Sequence, residues 1–175
     1  MPTKQTLLSC ANLGYVDAHG TLRFESVRVG IKEREFEKRT EIKCVLAPDG
    51  LQIVRKKAFS MCTMLHTVHL GQHLRVLGED AFRECRSLKH LTMPASLQRI
   101  DARAFCYATA LVVVDAASTH VTALPCFVFF RCKKMREFRP PRCVQSIGDS
   151  AFAYCRSMLK VDLSNTSLTR IEKDA

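Results

Sequence analysis

The sequence of 175 residues contains no tryptophan, only seven glycines and few aromatic residues. It has no uninterrupted apolar run of about 18 residues, which is the length a helix needs to cross a bilayer. It also lacks the motifs GxxxxGK[ST], GxGxxG, GxSxG and HExxH, and it has no CxxC pair. These absences argue against a membrane span, a common nucleotide or hydrolase site, and a zinc knuckle.

The first residues of the chain, MPTKQTLLSCANLG, hold one lysine and only a short apolar patch. A secretory signal peptide needs a longer apolar segment than this. If Met1 is the native start, the sequence predicts a cytoplasmic protein. If the chain is an excised fragment of a longer protein, the cell surface is the alternative location.

What the sequence does have is a repeat of 23 residues from residue 31 onward, clearest in the copy between Val76 and Ile100. Two steps have 24 residues, and the extra residue falls at the same phase, as a surface turn would allow. We therefore predict that successive coils superimpose and that one aromatic residue per coil forms a continuous buried spine: Phe36, Phe59, Phe82, Phe105, Phe129 and Phe152.

Two local patterns within each repeat predict its backbone. Apolar residues alternate at the end of the triplet, as in Leu91 and Met93, which is typical of a short strand with one buried face. Such a strand is stable only when it is stacked on the next copy. The segment from Leu77 through Phe82 to Cys85 has apolar spacings that favour a single helical or 3₁₀ turn.

This pattern resembles the BspA-like leucine-rich repeats, whose units also have 23 residues. The resemblance covers about residues 31–175 and implies an α/β right-handed solenoid with short parallel strands on its concave face. It also implies a binding or adhesive function, in many cases at a cell surface. The residues that carry it in the clearest copy are Leu77-Gly78, Ala81-Phe82, Cys85, Ser87-Leu88, Leu91, Met93-Pro94, Ser96-Leu97 and Ile100.

The chain divides into two parts by this repeat. Residues 1–30 lack it, and alternating stretches on either side of Ala18-His19-Gly20 predict a β-hairpin that caps the first coil. Residues 31–175 hold six coils and the start of a seventh, without a C-terminal cap. We expect a fragment, a truncated product, or a last coil covered by a partner such as a second copy in a dimer.

Nine cysteines are present, and four of them, Cys62, Cys85, Cys132 and Cys155, occupy one phase of the repeat. There they are expected to be small buried hydrophobic residues with reduced thiols. The fourth coil has Ala108 at this position. A disulfide framework among the cysteines outside the phase stays open, although such frameworks belong to small secreted domains without a core. These are Cys10, Cys44, Cys106, Cys126 and Cys143.

Leucine-rich repeats bind mostly through the concave sheet, because stacked strands give a rigid surface at fixed spacing. The resemblance thus predicts a non-enzymatic scaffold that binds a protein partner and needs no cofactor. Its binding residues project between the inward strand positions. They are Thr67, His69, His90, Thr92, Asp115, Glu137, Arg139, Lys160 and Asp162.

A second hypothesis comes from charge, since 27 Lys and Arg face 17 Asp and Glu for a formal net charge of +10. The densest basic run, 131–142, could bind nucleic acid or an anionic surface, although nucleic-acid recognition usually adds aromatic stacking. Its basic residues are Arg131, Lys133, Lys134, Arg136, Arg139 and Arg142.

The question of a metal site is raised by four histidines: His66, His69, His73 and His90. Only His69 and His90 are expected to approach each other, diagonally across neighbouring strands. A third ligand is lacking, so the sequence predicts no metal site.

Overall fold

The structure is a computed structural model that describes residues 14–24, 28–48, 50–159 and 161–175. These residues form short parallel strands that stack coil upon coil, and none of them lies in a helix. In chain order the strands are β1 (Tyr15–Val16), β2 (Thr21–Arg23), β3 (Gly30–Ile31), β4 (Cys44–Leu46), β5 (Ile53–Val54), β6 (Thr67–His69), β7 (Val76–Leu77), β8 (His90–Thr92), β9 (Arg99–Ile100), β10 (Val113–Asp115), β11 (Ala123–Leu124), β12 (Glu137–Arg139), β13 (Ser146–Ile147) and β14 (Arg170–Ile171).

The three-residue strands β4, β6, β8, β10 and β12 form the face predicted to be concave, which we call the strand face. Each strand buries its middle residue and directs its outer two away from the core, as the alternation predicts. The ladder is divided: β6 ends a sheet of order β1-β2-β4-β6, and β8 begins the sheet β8-β10-β12. The buried middle residues are Val45, Val68, Leu91, Val114 and Phe138.

The sixth coil departs from this pattern. Its described residues 161–163 are not assigned to a strand, and residue 160 lies outside the described residues. Val161 and Leu163 still pack against the core, where both are half-buried.

The two-residue strands form a second ladder along another side of the coils. They pair in the orders β3-β5-β7-β9 and β11-β13-β14, so this ladder is divided between β9 and β11. The aliphatic residue that opens each coil is the second residue of each of these strands. It is buried in six coils: Ile31, Val54, Leu77, Ile100, Leu124 and Ile147.

The segment around each phenylalanine is a series of hydrogen-bonded turns, so the predicted helical or 3₁₀ turn is not confirmed. Amide groups alternate in direction: Cys62 N–H donates to the oxygen of Phe59 in its own coil (3.2 Å), whereas Phe59 N–H donates to Ala81 of the next coil (2.8 Å). Left-handed φ values at Lys57 and Met61, 55° and 61°, produce this alternation. Backbone hydrogen bonds therefore join the coils on this turn side as well.

The predicted spine is confirmed, since the six phenylalanine rings stack in one column. Centroids of successive rings are 5.2, 5.2, 5.6, 5.6 and 5.5 Å apart, and the interplanar angles do not exceed 21°. Offset stacking at this separation is favourable for aromatic pairs. The first five rings are fully buried, and Phe152 in the sixth coil is half-buried.

The two 24-residue coils share a turn whose sequence signal is VDxxxT. In the fourth coil, Asp115 Oδ1 accepts the N–H of Ala117 (3.1 Å) and the Thr119 hydroxyl donates to the carbonyl oxygen of Ala116 (2.8 Å). In the sixth coil the same roles fall to Asp162, with Ser164 N–H at 3.0 Å, and to Thr166, with Leu163 O at 2.7 Å. These side-chain bonds accommodate the extra residue of each longer coil.

At the N-terminal end, β1 and β2 form an antiparallel hairpin, and β2 also pairs in parallel with β4 of the first coil. Asp17 Oδ1 closes the turn by accepting the N–H groups of His19 and Thr21, at 3.0 and 2.9 Å. The role of residues 1–30 as a cap stays a prediction, and residues 1–13 and 25–27 fall outside the described residues.

Candidate functional site

The strand face presents two rows of side chains at fixed register. One row runs through Cys44 and Thr67, then through His90, Val113 and Glu137. The other row runs through Leu46 and His69, then through Thr92, Asp115 and Arg139. The face therefore changes from neutral side chains in the first coils to charged ones in the fifth.

The predicted binding residues occupy this face to different degrees. Asp115 is half-buried, and Asp162 is exposed but follows a residue outside the described range, Lys160. Their assignment to partner binding remains a prediction. The other six are exposed on the strands: Thr67, His69, His90, Thr92, Glu137 and Arg139.

A depression of about 390 Å³ lies where the ladder is divided between β6 and β8. We call it the histidine cleft. Two histidines and two threonines, from equivalent positions of neighbouring coils, contribute its polar groups. Its lining is Thr67, Val68, His69, Leu70, Gly71, Gln72, His90, Thr92 and Pro94.

The charged end of the strand face is an ion-pair network centred on Arg139. Its Nε donates to Glu137 Oε1 (2.6 Å), and its Nη1 donates to Asp115 Oδ2 (3.3 Å). The hydrogen bond that Arg139 donates to Glu137 and the charges of both carboxylates raise the pKa of Arg139. Beside this network, Arg139, Arg142 and Asp162 line a second depression of about 370 Å³.

Asp115 and Asp162 have a structural task that the sequence reasoning missed. Each carboxylate holds the turn that follows it in the chain, so a substitution would disturb that turn as well as any surface contact. The repeated VDxxxT in the two longer coils was the available signal.

The basic segment 131–142 winds around the fifth coil instead of forming one patch. Arg131 lies on the turn side, where its guanidinium carbon is 5.4, 5.5 and 5.0 Å from the ring centroids of Tyr107, Phe130 and Tyr154. Arg139, by contrast, is paired on the strand face. The remaining basic residues are exposed before and after β12: Lys133, Lys134, Arg136 and Arg142.

The cysteines in the repeat phase are buried between coils. Cys62 Sγ donates to the carbonyl oxygen of Phe36 (3.0 Å), and burial raises the pKa of this thiol to about 12. Burial also raises the thiol pKa values of Cys85 and Cys132 well above the ordinary value. The eight cysteines within the described ranges are free.

Two absences hold for the described residues. No group of three or more His, Cys, Asp or Glu side chains among them is arranged to hold a metal ion. They also include no apolar helix of membrane-spanning length.

Solved structures share this fold. The chain resembles a leucine-rich-repeat protein of T. pallidum, with a TM-score of 0.60 and 20% identity, over 84% of this chain and 81% of that one. It also resembles a leucine-rich cell surface protein of Faecalibacterium prausnitzii, with a TM-score of 0.61 and 21% identity, over 89% of this chain and 47% of that one. The pneumococcal vaccine antigen PcpA has a TM-score of 0.57 and 16% identity, over 87% of this chain and 41% of that one.

The chain therefore spans about half or less of the Faecalibacterium and pneumococcal proteins, and these identities establish the fold alone. Among curated proteins no sequence matches. The family model described as BspA type leucine-rich-repeat region matches six copies, over residues 29–158 and 114–175. The 23-residue period, the stacked phenylalanines and this match agree, and the chain belongs to the BspA-type leucine-rich-repeat family.

Proposed function

We propose that the chain is an interaction scaffold that binds a segment of a protein partner along its strand face. The observation that carries this proposal is the register of the two side-chain rows. The paired strands hold exposed side chains at regular spacing, and the packed core beneath the strands fixes their backbone. Buried ring stacking and inter-coil hydrogen bonds make that backbone rigid, which lowers the ordering cost of binding.

The composition of the face favours a protein over a small molecule. The two depressions described above lie several coils apart along the face, and only the one beside Arg139 is lined by Asp, Glu or Arg. A partner that contacts both must extend along several coils, as a peptide segment or a protein edge can. The name of the Faecalibacterium relative, a cell surface protein, supports an adhesive version of this role.

Binding, rather than catalysis, is the role that the side chains support. The strand face offers threonines, histidines and an arginine already paired with two carboxylates. Catalysis would need a nucleophile, a base and an orienting group at mutual hydrogen-bond distance.

Affinity capture with matched charge reversals tests the proposal. Arg139→Glu changes the strand face, whereas Lys133→Glu makes the same change of net charge in an exposed turn of the same coil. We expect the wild type and Lys133→Glu to retain the same protein, quantified by mass spectrometry, and Arg139→Glu to lose it. Equal retention by all three proteins would refute binding at this end of the face.

The nucleic-acid alternative gives a different result in the same assay. Binding through 131–142 would fall steeply with salt, and both charge reversals would weaken it to a similar extent. Retention of the partner at 0.3 M salt, with loss only in Arg139→Glu, would argue for the strand face. The dispersal of the basic residues around the coil favours that outcome.

A further inference from the structure

Acidic side chains are missing from the stretches of the second and third coils that carry the strands of the histidine cleft. Residues 50–78 and 85–100 contain no Asp or Glu, although acidic residues occur on both sides of each range. The same ranges hold seven Lys or Arg residues and four of the six histidines. These two ranges are therefore basic stretches, and the residues that line the cleft belong to them.

The cleft places hydrogen-bonding groups where an anion could reach them. His69 and Thr67 project from β6, and His90 and Thr92 project from β8, all four exposed. A threonine hydroxyl and an imidazolium N–H are both donors to a carboxylate. Leu70 and Pro94 form an apolar boundary on which the carbon chain of a peptide can rest.

The side chains on the neighbouring strands β4 and β10 do not compete for the histidine and threonine donors of the cleft. From β4 the side chains are Cys44 and Leu46, and burial raises the pKa of the Cys44 thiol, which keeps it neutral. From β10 the charged group is Asp115, whose carboxylate is bound to Arg139 and to the Ala117 amide. Two exposed lysines, Lys43 and Lys89, precede the strands and add positive charge.

We propose that the histidine cleft binds an acidic peptide segment of the partner, more tightly at pH 5.5 than at pH 8. Histidine is the side chain whose ordinary charge change falls in this range. Protonation of His69 and His90 would add two positive charges at a site without a competing carboxylate in its lining. This inference rests on the proposed function and names the chemistry of the partner at one part of that face.

A fluorescent decapeptide of alternating aspartate and serine, with blocked ends, is the probe. Aspartate stays ionised across the pH range, so a change in affinity reports on the protein. At 0.15 M salt we expect anisotropy titrations to show affinity rising about threefold for each histidine that gains charge, or about tenfold in all, between pH 8 and 5.5.

A matched pair of double variants separates the cleft from general electrostatics. His69→Gln with His90→Gln removes the two cleft imidazoles, and His66→Gln with His73→Gln removes two exposed imidazoles that do not line it. Each double variant removes two exposed histidines and introduces the same two uncharged side chains. The first double variant should lose the pH response and the second should keep most of it, with thermal melts showing that both remain folded.

Three outcomes would overturn the inference. They are equal pH responses in the two double variants, equal binding of a peptide with asparagine in place of aspartate, and no binding of the acidic probe at any pH. In each case the proposed function is judged separately, by whether Arg139→Glu still loses the captured protein. Suppose that Arg139→Glu loses the captured partner and that binding of the partner does not change with pH. That result would support the scaffold function and contradict binding of an acidic segment in the cleft.

Discussion

The thiol of Cys85 donates a hydrogen bond to the carbonyl oxygen of Phe59, one coil earlier in the stack, over 3.2 Å. The same bond joins Cys62 to Phe36, at 3.0 Å. It recurs between Cys132 and Phe105, at 3.3 Å, and between Cys155 and Phe129, at 3.2 Å. The cysteines at this phase therefore fill space beside the spine. Each also donates to a phenylalanine carbonyl oxygen that already accepts a backbone N–H group. A thiol is a weak donor, so each bond adds modestly to packing.

Ala108 occupies this phase in the fourth coil, beside the spine and fully buried. Ala108→Cys should place a thiol near the carbonyl oxygen of Phe82 and raise the free energy of unfolding by about 0.5–1 kcal/mol. Urea denaturation measures this change. Ala110→Cys, half-buried and outside the column, should alter stability less. Destabilisation by Ala108→Cys would mean that this coil is packed too tightly for sulfur.

Phe82 is the central ring of the spine, with Phe59 at 5.2 Å and Phe105 at 5.6 Å. Truncation to alanine leaves a cavity between two rings that the neighbouring coils hold apart. Phe82→Ala should lower the free energy of unfolding by about 3–5 kcal/mol, as a shift of the denaturation midpoint shows. Met64→Ala, at a side chain that is 44% exposed, should change it by less than about 0.5 kcal/mol. An unchanged midpoint in Phe82→Ala would contradict the stacking.

Glu79 links coils on the side of the two-residue strands. The hydrogen bond from Lys56 Nζ (2.6 Å) lowers the pKa of Glu79, with a further contribution from the charge of Arg103. A lowered folded-state pKa adds stability above the unfolded-state value of about 4.3, and this stability is lost as pH falls through the folded-state pKa. Glu79→Gln should therefore lower the urea midpoint at pH 7 and have a smaller effect at pH 3.

The control for this pH dependence is Glu33→Gln, because the Glu33 side chain is exposed and its ion pair with Arg34 is long, at 3.7 Å. It should shift the midpoint little at either pH. Equal effects of the two substitutions at pH 7 would show that the Glu79 ion pairs contribute no more than an ordinary surface contact.

Arg131 stabilises the turn side through its position between Tyr107 and Tyr154. Arg131→Ala removes cation–π contacts with these rings and with Phe130, and should cost about 1–2 kcal/mol in thermal or urea unfolding. Lys133→Ala, an exposed neighbour, should be close to neutral. Equal effects of the two substitutions would show that Arg131 contributes no more to stability than an ordinary exposed cation.

The spine, the strand face and the coil boundaries were predictable because burial repeats at one fixed period. Phe59 and Val68 lie inside and Thr67 and His69 outside, as their phase requires. This information is local to the repeat and needs no knowledge of distant contacts. The first five phenylalanines are fully buried for the same reason.

The turns were less predictable, because apolar spacing reports which side chains are buried and not which way the amides point. Met61 and Glu84 adopt left-handed φ values of 61° and 59° in place of the predicted helical turn. Neither is glycine or asparagine, so composition gave no warning. The stacking of Arg131 between Tyr107 and Tyr154 was not predicted, although the tyrosines lie 24 and 23 positions from Arg131 and so share its phase of the repeat.

The two interruptions of the ladders fall at different levels of the stack. The strand face is divided between β6 and β8, but at that level β5 still pairs with β7. The other ladder is divided between β9 and β11, where β10 still pairs with β12. The two ladders are therefore never interrupted between the same pair of coils. Separating the coils at either interruption would break the hydrogen bonds of the other ladder. At every level among the described strands, at least one parallel ladder therefore joins each coil to the next.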